Sequence, residues 1–202
     1  ALGEALFGAE HMYGVNTKAS DYLAVTRDDL LDYHKTVFLA NSPRIVVVGQ
    51  LDAKAEAFFV NTFQNYNFEG KQLKTVYKSA IQASASKRID VPMNQGSQSS
   101  IRLGKTCIPM QHPDYHSLKM ANTILGGYFG SRLMQNIRED KGYTYGISSA
   151  ILHLEEADLL VINTSVGNEF VADTLKQIQL EIERLQNELV SDEELYLVKQ
   201  YK

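Results

Sequence analysis

The sequence predicts an α+β protein, a two-layer sandwich in which a mostly antiparallel sheet is packed by helices. Three observations point there. Residues 97–108, 147–153 and 157–166 carry strand-like apolar runs, the last two joined by a short Leu154-Glu-Glu156 turn that reads as a hairpin. Residues 113–125, 131–141 and 171–189 repeat their apolar positions at helical spacing. The order strand pair, helix, glycine loop, helix, hairpin, long helix separates strands from helices, as a layered α+β fold does.

In chain order, residues 2–13 begin as a helix end stopped by Gly8, followed by a loop holding His11 and Gly14. His11 has no second metal ligand near it in sequence and reads as a structural loop histidine. Thr26 is an N-cap, with Asp28 and Asp29 in the first turn and Leu30, Leu31, Tyr33, His34, Val37 and Phe38 following at helical spacing to about Leu39. Residues 45–48, Ile-Val-Val-Val, predict a fully buried strand stopped at Gly49. Asp52 then caps a second helix carrying Ala55, Phe58, Phe59 and Phe63, which closes a small helix–strand–helix layer.

Residues 69–86 are polar and without period, which marks a linker. The predicted organisation is a helix–strand–helix segment over 1–70, a linker over 71–86 and a second domain over 87–202. Strands at 87–91 and 97–108 are expected to pair antiparallel across a 93–96 turn, with Ile101, Leu103 and Cys107 on one face. Gly104-Lys-Thr106 resembles the end of a phosphate-binding loop, but Ser99 stands where the first glycine is needed and no helix follows. His112 and His116 are four apart, as in a helical metal pair, yet Pro113 fits the first helical position and leaves His112 outside as a cap. Tyr115, Leu118, Ala121, Ile124 and Leu125 face inward from that helix.

The chain is organised around residues 126–145. Gly126, Gly127 and Gly130 open a loop where unusual backbone angles are available. Leu133, Met134 and Ile137 then share a helical face, Gly142 follows the helix end, and a period of two starts at Tyr143. Arg138 in the last helical turn and Tyr145 early on the next strand are candidates to converge on one spot, where a guanidinium and a phenol can hydrogen-bond a carbonyl or carboxylate. The plainer alternative has Arg138 as a cation facing the negative helix end and Tyr145 as a packing residue. Further on, Val171, Leu175, Ile178, Ile182, Leu185 and Leu189 mark a long amphipathic helix, and Ser191-Asp-Glu-Glu194 a capping box for one more.

Composition excludes several classes. A net charge of −4, with no cluster of lysines and arginines, argues against nucleic-acid binding. Cys107 is the single cysteine, which removes an internal disulfide and any cysteine-based zinc cluster. No apolar run reaches the ~18–20 residues of a membrane span. The chain begins without Met and stops inside a helical pattern, so it is expected to be part of a longer protein. A soluble protein of bacterial cytoplasm or periplasm is expected.

The stretch Leu125-Gly-Gly, Ser131-Arg-Leu, Arg138-Glu-Asp-Lys-Gly and Tyr145 resembles the second half-domain of M16 zinc peptidases, the inverzincin family of pitrilysin-like and mitochondrial-processing-type enzymes. Members with a Leu-Ala-Tyr form differ from this chain at Tyr143 and Thr144. The resemblance implies the α+β half-domain fold for 87–202 and a trailing part of the preceding half for 1–70. It implies that Arg138 and Tyr145 hold the backbone of a peptide substrate whose cleavage occurs at zinc bound elsewhere. In this family zinc is bound by H-x-x-E-H plus a distant Glu. None of His11, His34, His112, His116 and His153 lies in that pattern. The chain is therefore expected to be non-catalytic, with no metal of its own, and to partner the N-terminal zinc-binding half of the same protein or a homologous subunit. The alternative is a non-catalytic partner subunit or interaction scaffold.

Overall fold

In the computed structural model, residues 1–39, 44–65, 80–93 and 96–201 are described. The chain divides into two units, Ala1–Val15 with Ile81–Lys202, and Asn16–Ala80.

The first unit is built on three strands, β1 (Gln98–Cys107), β2 (Ile147–His153) and β3 (Asp158–Gly167), in the order β1-β3-β2 with both pairings antiparallel. The α+β class is as the sequence predicts, and β2 and β3 form the expected hairpin. The expected pairing of 87–91 with 97–108 does not form. Residues 87–91 lie outside any strand, with Ile89 and Val91 exposed, and β1 runs along β3 instead. The apolar, non-alternating sequence of β3 suits a strand packed on both faces, and β1 pairs with it along one edge only.

One face of β3 presents Ile162, level with Leu103 of β1 and Ser149 of β2. On this side Leu125, Leu133, Met134, Ile137, Ile147, Ile162 and Ile178 form the larger core. Its helices are α5 (Tyr115–Asn122), continued by a π-helical turn Thr123–Gly127, the π-helical segment Met134–Asp140, and α6 (Val171–Asn187). The opposite face presents Leu159 and Val161, covered by Phe7, Leu2 and Leu6 of α1 (Leu2–Phe7). His11 is buried there, stacked on Phe7 with ring centroids 5.1 Å apart, and its Nδ1 accepts the Tyr13 amide at 3.2 Å. That is the structural role its sequence context suggests.

Residues 1–15 join this unit because α1 seals the second face of the sheet and its chain is bonded to residues 82 and 84. The Gln82 amide donates to the Phe7 carbonyl at 2.9 Å and the Ser84 amide to the Ala5 carbonyl at 2.8 Å. The observed division thus differs from the 1–70, 71–86 and 87–202 organisation expected from sequence. Much of the expected linker lies outside the described residues.

The glycines of the loop act differently from expectation. Gly126, Gly127 and Gly130 do not use positive φ; among the described residues only Gly8, Gly49 and Gly142 do. At Gly126 the need is proximity, since a Cβ there would meet the Ser149 amide nitrogen at 2.7 Å. Gly142, at φ 66°, makes the left-handed turn that ends the Met134–Asp140 segment.

The second unit contains α2 (Ala19–Ala24), which the sequence did not signal, α3 (Arg27–Tyr33) extended by a π-helical segment His34–Leu39, and α4 (Ala53–Phe63). The caps are those predicted. The Thr26 hydroxyl accepts the Asp29 amide at 3.2 Å while the Asp29 carboxylate accepts the Thr26 amide at 2.8 Å, and Asp52 accepts the Ala55 amide at 2.7 Å. The predicted buried strand at 45–48 is not formed. These residues pair with no strand and are not buried, because no sheet lies beside them among the described residues.

Ile137 is fully buried, so Ile137→Ala should destabilise the first unit by ~2–5 kcal/mol, seen as a lower urea midpoint at unchanged slope. Gly126→Ala should cost ~1–3 kcal/mol by pushing the π-helical turn off β2, read in the same titration.

Candidate functional site

The segment carrying Arg138 is anchored by its apolar face, with Leu133 and Ile137 fully buried and Met134 nearly so. Its end is closed by main-chain bonds from Lys141, Gly142 and Tyr143 to the carbonyls of Asn136, Arg138 and Ile137 at 3.1–3.2 Å. Arg138 follows Ile137 and keeps 32% of its side chain exposed. Its guanidinium carbon stands 4.7 Å over the Phe129 ring and its NH1 is 3.2 Å from Glu139 Oε1. The flat cation is thus steered from both sides while its outer edge faces solvent.

Tyr145 lies in the bend before β2, which starts at Ile147 rather than at the expected Tyr143. The residues around it are fixed. Tyr143 stacks on Phe170 with centroids 4.2 Å apart and planes 7° from parallel. The Thr144 hydroxyl is 2.9 Å from the Gly146 carbonyl and 2.8 Å from that of Ser165, and it accepts from the Thr164 hydroxyl at 3.0 Å. The Ile147 amide points at Met134 Sδ, 3.4 Å away. Between these anchors Tyr145 is 93% exposed, and no hydrogen bond or ring contact ties its phenol to another described residue. Arg138 and Tyr145 are therefore not in direct contact; they project from the two ends of one pinned connection. Tyr145 packs against no other described residue.

Sequence reasoning missed two polar clusters. Arg132 donates to both carboxylate oxygens of Glu194 at 2.8 Å, with 11% and 25% of the side chains exposed. This pair holds α7 (Asp192–Tyr201) against the rest. Hydrogen bonding to Glu194 raises the Arg132 guanidinium further above its ordinary value, and the carboxylates of Glu194, Glu181 and Glu188 add to this. The capping box at 191–194 is only half made. The Ser191 hydroxyl accepts the Glu194 amide at 3.2 Å, but the carboxylate goes to Arg132. A polar pocket of about 620 Å³ lies beside the pair, bordered by Arg132, Asn136, Lys141, Glu181, Arg184 and Glu194. Buried Glu181 accepts from Asn136 at 2.7 Å and from Arg184 at 3.1 Å, whereas Arg132 Nη1 is buried without a hydrogen-bond partner among the described residues.

At the far end of the sheet, His153 Nδ1 is 3.1 Å from Asp158 and its Nε2 is 2.9 Å from the Tyr115 hydroxyl. Cys107 stands opposite Asp158 across β1 and β3, and burial, then the Asp158 charge, pushes its thiol up. The helix expected to start at Pro113 with His112 as its cap starts instead at Tyr115 with Asp114 as N-cap, and His112 Nδ1 accepts the Asp114 amide at 3.1 Å in the turn before it. Lys105 sits inside β1 rather than in a phosphate loop.

No group of three or more His, Cys, Asp or Glu side chains among the described residues is arranged to hold a metal ion. The described residues therefore offer no donor set that fits zinc. Among the described residues no helix is long and apolar enough to cross a membrane.

An antiparallel sheet packed by helices is the half-domain architecture that the sequence motif resembles. Residues 24–201 match the family model described as the peptidase M16 inactive domain, and the chain belongs to that family. It is 30% identical over 98 residues, 48% of this chain and 24% of the relative, to the uncharacterized zinc protease YmxG of Bacillus subtilis. It is 23% identical over 198 residues to the zinc protease Rv2782c of Mycobacterium tuberculosis, 96% of this chain and 45% of that one. The chain thus spans under half the length of these relatives. Its fold is similar to the peptidase M16 inactive domain from Pseudomonas fluorescens, with a TM-score of 0.69, 24% identity and coverage of 99% of this chain and 48% of that one. It is also similar in fold to a chain of Complex III2 from Candida albicans, with a TM-score of 0.65, 16% identity and coverage of 99% and 49%.

Arg132→Met strips a half-buried carboxylate of its partner and should cost ~2–3 kcal/mol, and combining it with Glu194→Leu should cost less than the two singly, in a denaturation double-mutant cycle. Asp173 has its carboxyl lowered by the Gln177 amide first, then by the Tyr143 hydroxyl and the Lys141 and Lys176 charges. A carboxyl lowered on folding stabilises above its unfolded pKa and loses that contribution as pH falls through the folded one. Asp173→Asn should therefore reduce stability at neutral pH and flatten the loss seen below about pH 4 in melts across the acid range.

Proposed function

We propose that this chain is the substrate-binding, non-catalytic portion of a zinc-dependent M16 peptidase, in which Arg138 and Tyr145 hold the peptide backbone. The Arg138 guanidinium donates to a carbonyl or terminal carboxylate of the substrate. The Tyr145 hydroxyl donates to a second carbonyl and stays with it as negative charge develops on its oxygen. Zinc and the water it activates belong to the N-terminal zinc-binding half of the same protein, or to a homologous subunit, in a bacterial parent of cytoplasm or periplasm. Residues of the second unit are the trailing part of that preceding half.

The observation that carries this reading is Tyr145, an exposed phenol with no partner among the described residues, set on a connection whose neighbouring residues are held. Binding side chains are commonly presented on connections that a rigid scaffold positions. Membership of the M16 inactive-domain family and relatives described as zinc proteases support the reaction class.

In the full-length parent, Arg138→Ala and Tyr145→Phe should each lower kcat/KM for peptide hydrolysis by about 10-fold to 1,000-fold while zinc content by elemental analysis stays unchanged. A double variant that cleaves peptides at the parental rate would remove the substrate-holding role. The chain by itself should purify without stoichiometric zinc, and tightly held metal in elemental analysis would overturn the division of labour.

A further inference from the structure

Phe129 stands under Arg138 on a stretch of chain that is tied down at both ends. Tyr128, Phe129, Gly130 and Ser131 form a tight turn, closed by the Ser131 amide donating to the Tyr128 carbonyl at 3.2 Å. On one side the Tyr128 ring lies 5.1 Å from the Tyr201 ring of α7 and folds back over Gly130, where a Cβ would meet its Cε2 at 2.8 Å. On the other side Ser131 is buried. Phe129 itself, at the corner, is 66% exposed, so the core gains little from its ring. What the ring does hold is the Arg138 guanidinium, whose carbon is 4.7 Å from its centroid.

Glu139 is the other neighbour of that cation, and the two contacts act differently. The carboxylate, 3.2 Å from Arg138 Nη1, engages one of the in-plane donors that a carbonyl would also need. A ring face attracts the cation as a whole and takes none of those donors. Of the two, Phe129 is therefore the contact that orients the guanidinium without competing for what it binds.

On the reading that Arg138 binds the peptide backbone, we propose that Phe129 is a positioning residue for the substrate: it acts through Arg138, holding the guanidinium so that its free edge meets a peptide carbonyl. A long arginine side chain has several rotamers to lose when it binds, and a ring beneath it removes part of that loss in advance. The same hydrogen bond is made in the bound peptide and in the transition state, so the benefit falls on KM rather than on kcat.

Steady-state kinetics of the full-length parent on a single peptide test the role. Phe129→Leu, which keeps an apolar side chain and removes the ring, should raise KM about 3-fold to 30-fold and leave kcat within about 2-fold. Phe129→Tyr, which keeps the ring, should recover most of that loss. In an Arg138→Ala background, Phe129→Leu should change kcat/KM by less than about 2-fold, because the group it acts through is gone. An unchanged KM in Phe129→Leu overturns the proposal. So does a loss as large in the Arg138→Ala background as in the parent, which would have the ring meeting substrate directly or supporting the fold at large. The two readings fail separately. Turnover impaired by Arg138→Ala but parental in Phe129→Leu removes only the positioning role, whereas parental turnover in Arg138→Ala removes the substrate-holding reading and the positioning role with it.

Discussion

The double-sided burial of β3 is the constraint on which the first unit depends. Both edges of the strand are bonded, to β1 and to β2, and both faces are packed, Ile162 against the helices and Val161 against α1. A strand in that position has no freedom of register, because a slip by one residue would exchange the residues of the two cores. The hairpin partner β2 inherits this fixity, and so does whatever leads into β2.

What leads into it is the connection bearing Arg138 and Tyr145. Its stiffness comes from small contacts of different kinds: a buried helical face, a left-handed glycine, a stacked tyrosine, and the Thr144 hydroxyl shared among Gly146, Ser165 and Thr164. None is large alone. Together they leave the backbone one path, so that two polar side chains are offered to solvent at a set separation without touching each other. Preorganisation of this kind lowers the ordering cost that a bound peptide would otherwise impose.

Much of this was legible from the residues. Helix caps at Thr26 and Asp52, the hairpin at 147–166 and the long helix over 171–187 rest on local patterns, and local patterns are what a sequence carries most directly. The misreadings are all cases in which distant residues decide. Residues 87–91 look like a strand yet join no ladder, while their expected partner runs along β3; Gly126 looks like a turn glycine but is there for Ser149, which arrives from another strand. Glu194 has the spacing of a capping residue, yet a mostly covered arginine 62 positions earlier captures its carboxylate. In the candidate site, spacing and family resemblance single out Arg138 and Tyr145, whereas Phe129 beneath the guanidinium and the Thr144 hub have no one-dimensional signature.

The helical turns on either side of the glycine loop are π-helical, which means each carries one residue more per ring of hydrogen bonds than an α-helix needs. Removing a single residue from Met134–Asp140 would let the backbone relax into ordinary α-helix, and locally the bonding would improve. The same deletion would swing everything after it by ~100° about the helix axis. Arg138 would leave the Phe129 ring, and the threaded entry to β2 would no longer meet its threonines. The bulge is thus a phase adjuster: it holds helix and sheet out of step by one residue so that the connector lands where it does, and length variation in this segment is forbidden even where composition is free to drift.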